Sequence, residues 1–128
     1  MGFLLDTHVL LWWLANDPKL SADVREIIRN PVNDSFVSAA TIWEIAIKTS
    51  LGKLKQPDDL LAVLRDNRFQ VLDISAEHCL NVGSLPWHHK DPFDRMLISQ
   101  ALVEGLTIIT VDQKFKFYDV PLFSDDFG

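Results

Sequence analysis

At 128 residues, with 48% hydrophobic content and a net charge of -6, the chain is long enough to bury one sizeable core and too short for two ordinary domains, so a single domain over 1–128 is expected. No apolar stretch approaches the roughly 18 residues that span a bilayer, the opening MGFLLDTHVLLWWLAND lacks the basic region and cleavage site of a signal peptide, and the lone Cys79 has no partner; a cytoplasmic, reducing compartment without membrane attachment is expected. The acidic balance argues against a protein that coats nucleic acid through bulk positive charge, but it leaves room for a nuclease whose own acids contribute to that charge.

In chain order, Phe3 to Leu5 form a short apolar run stopped by Asp6-Thr7, and HVLLWWLA reads as a nearly all-apolar buried helix ended by Asp17-Pro18. Ser21 is placed to cap a helix to about Arg29. Phe36 to Ser38 make a second strand. The next helix carries Ile42, Ile45, Ala46 and Thr49 on one face and stops at Gly52, with Thr41 and Ser38 as rival caps. Pro57 opens an amphipathic helix through Leu60, Leu61, Val63 and Leu64, Phe69 to Ile74 reads as a third strand, and Ser75 caps a short helix. After the loop LPWHHK, Asp91 caps a helix with Pro92 in its first position and Gly105 as terminator. Leu106 to Thr110 is a buried strand of the parallel type, and Phe117 to Val120 reads as a last edge strand before Pro121. Strands alternating with helices at this spacing predict an α/β fold, with a small, mainly parallel sheet between helices on both faces.

Four acids, Asp6, Glu44, Asp94 and Asp112, each follow a strand-like run or lie in the first turns of a helix. A parallel sheet gathers such positions at one edge. Taken singly, each has a plainer account. Asp6 suits an N-cap, Glu44 completes a capping box from Thr41, Asp94 favours a helix N-terminus, and Asp112 suits a turn. Capping alone does not require all four to converge. Gathered carboxylates repel and raise one another's pKa until a cation arrives, and a hard divalent ion such as Mg²⁺ or Mn²⁺ relieves them. His88 and His89 lie in a loop ahead of Asp91, where they could touch substrate or be ordinary surface histidines. His8 is read as packing or hydrogen-bonding, and His78 and Cys79 as structural. Lys48 can pair with Glu44 four residues earlier.

With those positions placed, the sequence resembles the PIN-domain family, and within it the ribonuclease toxins of type II toxin–antitoxin systems, the virulence-associated protein C group. The resemblance runs through FLLDTHVLLWWL, SAATIWEIAIK with GKL, HHKDPFDRMLISQALVEGLTIITVD and FKFYDV, nearly the whole chain. It implies a PIN-like three-layer α/β/α sandwich and a metal-dependent endoribonuclease that hydrolyses RNA phosphodiester bonds in line. By motif, Asp6, Glu44, Asp94 and Asp112 match the family's four acids as catalytic and metal-binding residues, Asp91 matches an extra aspartate of the subgroup, and Thr7 and Thr110 match polar positions that orient carboxylates. Arg95 and Lys48 are the bases expected nearest the RNA backbone. The resemblance further implies a small antitoxin protein and a homodimer, for which the sequence itself offers only Trp12, Trp13 and the aromatic tail Phe115, Phe117, Phe123 and Phe127.

Two rivals belong to other classes. A non-catalytic binding module on a PIN fold is disfavoured because it has no reason to keep all four acids. A phosphotransfer enzyme using Asp6 as nucleophile would want an acid two residues on, where this chain has His8.

Overall fold

The computed structural model describes residues 1–124. Five parallel strands, β1 (Gly2–Leu5), β2 (Asp34–Ser38), β3 (Phe69–Leu72), β4 (Thr107–Thr110) and β5 (Leu122–Ser124), form one sheet in the order β3-β2-β1-β4-β5. Register is fixed by Leu4 opposite both Phe36 and Ile108. Successive side chains of a strand face opposite sides, so alternating residues feed two cores. Phe3, Leu5, Val37 and Ile109 belong to one apolar cluster, with Val9, Leu10, Val24, Ile45 and Leu64 from helices α1 (Thr7–Leu14), α2 (Ala22–Arg29), α3 (Ala39–Ser50) and α4 (Leu60–Asp66). Leu4 and Ile108 belong to the other, with Leu97, Ile98 and Ala101 of α6 (Pro92–Glu104). Helix α5 (Ala76–Val82) packs on α6. The three-layer arrangement expected from the alternation of strands and helices is the one found.

The strand order reverses direction between β1 and β4, the place where ligand crevices form in open α/β sheets. Asp6 leaves β1 and Asp112 follows β4 at that point. Helix α6 runs back toward the start of β4, which puts its N-terminus, and Asp94, at the same carboxyl edge. Its boundaries are as read from the sequence. Asp91 accepts from the amides of Phe93 and Asp94, Pro92 opens the helix, and Gly105 closes it at φ 70°, a conformation that suits a residue without Cβ.

Besides β2, which starts two residues ahead of Phe36, three boundaries differ from the sequence reading. Phe117–Val120 is not a strand: Gln113–Phe117 form a 3-10 helix, and the edge strand lies further on at β5. Asp112 starts that turn by accepting from the Lys114 amide, and Tyr118 and Val120 are both buried, which keeps this stretch against the core ahead of Pro121. Helix α4 begins after Pro57, at Leu60, because Asp59 supplies the cap through the Ala62 amide. The third strand ends at Leu72, and the Asp73 carbonyl accepts from Gln100 of α6 instead of continuing toward Ile74.

Trp12 and Trp13 are half-buried and pack against the first core, with the Trp13 indole donating to Asn67 Oδ1 at 3.1 Å. Among the tail aromatics, Phe115 is buried, Phe123 is half-buried and Phe117 is exposed, whereas Phe127 lies outside the described residues.

Candidate active site

Asp6 is the N-cap of α1 and nearly fully buried. One oxygen accepts from the Val9 amide at 2.8 Å; the other accepts from the Thr110 hydroxyl at 2.5 Å and the Val111 amide at 3.3 Å. The capping role read from the sequence is therefore real, yet it occupies only one oxygen, and the second reaches across the crevice to β4. Burial raises its pKa despite these donors. Thr110 also accepts from the Asp112 amide at 3.0 Å, so one hydroxyl links the Asp6 carboxylate to the backbone of Asp112.

Glu44 sits in the second turn of α3, because Ser38 and not Thr41 is the cap: Ser38 Oγ accepts from the Ala40 amide. A capping box at Thr41 is thereby excluded, and Glu44 is turned inward, 7% exposed. Thr7 donates to its Oε1 at 2.7 Å and Lys48 to its Oε2 at 2.7 Å. The hydrogen bond to Glu44 is the main cause of a raised Lys48 pKa, so this lysine stays cationic beside the acids.

Asp94 lies in the first turn of α6 with its side chain 20% exposed. Its pKa is pushed up to about 8, first by burial and then by the negative charges of Asp91, Asp6, Glu44 and Asp112. Those four neighbours are all the other acids proposed from the sequence, drawn from four separate chain segments. The structure brings them together. Asp112 is more open, its side chain 35% exposed, and Nε2 of His89 approaches both it and Asp94, at 3.2 and 2.9 Å. Among the described residues, donor atoms of His89, Asp94 and Asp112 lie within 4.8 Å of one another, a separation suited to holding a metal ion. Asp6 and Glu44 are not members of that trio and are tied to Thr110 and Thr7.

Two residues differ from their sequence reading. His89 is buried against the acids and is no surface histidine, while His88 is exposed. Nothing local announces this, because its burial depends on contacts with Arg95 of the next helix and with Tyr118, far along the sequence. Arg95 is 3% exposed and unavailable to an RNA backbone. Its guanidinium donates to the carbonyls of Pro86, His89, Val82 and Leu85, and it stacks on Trp87 with 3.9 Å to the ring centroid. This is an internal brace for the loop that carries His89. His78 is structural, buried in a reciprocal cap with Ser75; Cys79 is exposed, as is His8, whose ring lies 6.4 Å from that of Trp12.

The model of the PIN domain family matches residues 3–121. This chain belongs to the PIN domain family. Among curated proteins, this PIN domain is 25% identical over 122 residues to Ribonuclease VapC22 of Mycobacterium tuberculosis, covering 92% of each chain. It is 28% identical over 118 residues to the tRNA(fMet)-specific endonuclease VapC of Shigella flexneri, covering 86% of each. Among solved structures, it superposes on a chain of VapBC2 from Rickettsia felis, bound to a DNA fragment from their promoter, with a TM-score of 0.74 at 20% identity, covering 98% of this chain and 100% of the other. No helix of the described residues is long and apolar enough to cross a membrane.

Proposed function

We propose that this PIN domain, a single domain over the whole chain, is the endoribonuclease toxin of a type II toxin–antitoxin pair. Asp6, Glu44, Asp94 and Asp112 gather Mg²⁺ or Mn²⁺ for hydrolysis of RNA phosphodiester bonds, with Thr7, Asp91 and Thr110 orienting them. The observation that carries this reading is the Asp94 carboxyl, held near pKa 8 by burial and by four converging acids. Such an accumulation of charge is costly for stability and is what a cation site requires. The donor set suits a hard divalent ion, being carboxylate oxygens on rigid elements.

When bound, a divalent ion supplies charge neutralisation at the scissile phosphate and polarises the attacking and leaving oxygens. The chain's own residues do the positioning. Thr110 holds Asp6 and Asp112 in register across the switch point, and Thr7 and Lys48 hold Glu44. Lys48, its side chain 44% exposed, presents a fixed positive charge to an approaching phosphate while offsetting one of the acids. Asp94 and Asp112 are the acids with the most exposed side chains of the four and so face the substrate.

The names of the two curated relatives, a ribonuclease and a tRNA-specific endonuclease, support RNA as substrate, and the VapBC neighbours support a small antitoxin as partner. A homodimer and a cytoplasmic location complete the proposal. Purified protein is expected to cut total cellular RNA in Mg²⁺ or Mn²⁺ and to stop on addition of EDTA. Cleavage that persists in EDTA, or no cleavage of any RNA with either ion, contradicts the proposal and favours a non-catalytic binding module.

A further inference from the structure

Asp94 and Asp112 come from different elements, and their oxygens are brought within 4.8 Å of one another beside a histidine nitrogen. Two acids that close repel when both are ionised, and an N–H donor between them eases that repulsion. The group that stands there is the Nε2 edge of His89, which donates to Asp112 Oδ2 at 3.2 Å and lies 2.9 Å from Asp94 Oδ2. The other ring nitrogen fixes the tautomer. Nδ1 accepts from the Asp91 amide at 3.3 Å, which places the ring proton on Nε2, facing the two acids. A nitrogen that carries a proton has no lone pair for a metal.

The ring is held on every side. The His89 amide donates to the Tyr118 hydroxyl at 2.9 Å, its carbonyl accepts from Arg95 at 3.4 Å, and its ring stands nearly perpendicular to that of Phe115 with centroids 6.0 Å apart. Tyr118 is fixed in turn by donating to the Pro86 carbonyl at 2.8 Å. With 7% of its side chain exposed, the imidazole has neither the freedom nor the solvent access of a loop histidine.

We propose that His89 is a positioning residue of the cation site: its Nε2–H clamps Asp94 and Asp112 at the separation from which both can bind one ion, without itself becoming a ligand. The inference rests on the cation reading given above and adds a group that the four acids do not include. Outer partners of metal-binding carboxylates typically set affinity by 10- to 100-fold.

The test is Mn²⁺ affinity by calorimetry on the full chain, in wild type, His89→Ala, His89→Phe and His89→Gln. Both His89→Ala and His89→Phe are expected to weaken Mn²⁺ binding about 10- to 100-fold, the phenylalanine keeping the volume against Phe115 in case alanine does not fold. His89→Gln, whose amide can donate from a similar reach, is expected to recover most of the loss. RNA cleavage by His89→Phe should return when Mn²⁺ is raised by the same factor, which a merely structural defect would not allow. Unchanged affinity in both loss variants overturns the role of His89 while leaving the cation site standing. Glutamine as weak as phenylalanine, or ¹⁴N coupling to bound Mn²⁺ from the wild-type ring, overturns the donor role. Wild type that takes up no Mn²⁺ overturns the cation reading, and this inference with it.

Discussion

Asp94→Asn is expected to lower RNA cleavage roughly 10²- to 10³-fold, the scale of losing one preorganised charged group at a reacting centre, while making the cation-free protein harder to melt. The two effects share one cause. In the folded chain Asp94 titrates near 8, against an ordinary value of 3.8, because it is buried among Asp91, Asp6, Glu44 and Asp112. A carboxyl whose folded pKa is raised contributes most to stability below its unfolded pKa, and that contribution is lost as pH climbs through the folded value. Without cations, wild type should therefore lose stability between about pH 4 and pH 8, with burial of Asp6 acting in the same direction. Asparagine is neutral throughout, so its advantage should open over that window and reach full size above pH 8. A gain of even about 1 kcal/mol moves the melting midpoint of a domain this size by about 3–5 °C. Melting curves in EDTA at pH 5 and pH 9 check the sign. An asparagine variant less stable than wild type at pH 9 would show that the Asp94 charge stabilises the helix N-terminus and that Asp94 is no strained ligand.

Arg95→Ala is expected to destabilise the fold by about 3–5 kcal/mol, because several carbonyls lose their donor at once and each one left buried and unsatisfied costs about 1–3 kcal/mol. The guanidinium, only 3% exposed, satisfies four backbone carbonyls of the 82–89 segment and lies over Trp87. Arg95→Lys should recover little, because an ammonium cannot serve the forked set that Nη1 and Nη2 reach. Had this arginine been a phosphate contact, alanine would weaken RNA binding and leave urea unfolding unchanged. Equilibrium unfolding therefore separates the two roles without any RNA in the tube.

Much of the fold was legible because its signals are local. The cap at Asp91, the proline in the next position and the terminator Gly105 bound α6 within a few residues of chain, and the apolar runs at Leu4 and Ile108 declare strands buried on both faces. Convergence of the four acids was legible too, since carboxyl ends of parallel strands share an edge whatever their order. The misplaced last strand shows the limit. Tyr118 and Val120 look strand-like by type, but they are buried beside a 3-10 turn begun by Asp112, and no local pattern separates the two outcomes. His89 and Arg95 were misjudged for a related reason. In sequence they are a loop histidine and a helix-surface base. The Tyr118 hydroxyl, more than twenty residues later, meets both and is one of the contacts that make them internal. Charge at a helix start says little about exposure when the loop before it folds back over that helix.

The most direct measurement is the melting temperature of the cation-free protein at pH 8, followed as Mn²⁺ or Mg²⁺ is added. Four acids gathered around Asp94 require that a divalent ion stabilise the native state, by about 2.7 kcal/mol at 100 times its dissociation constant and so by roughly 10 °C in a domain of this size. The shift should shrink at pH 5, where a proton occupies Asp94, and all but vanish in Asp94→Asn. A midpoint that does not move at pH 8 with millimolar amounts of either ion would contradict the account.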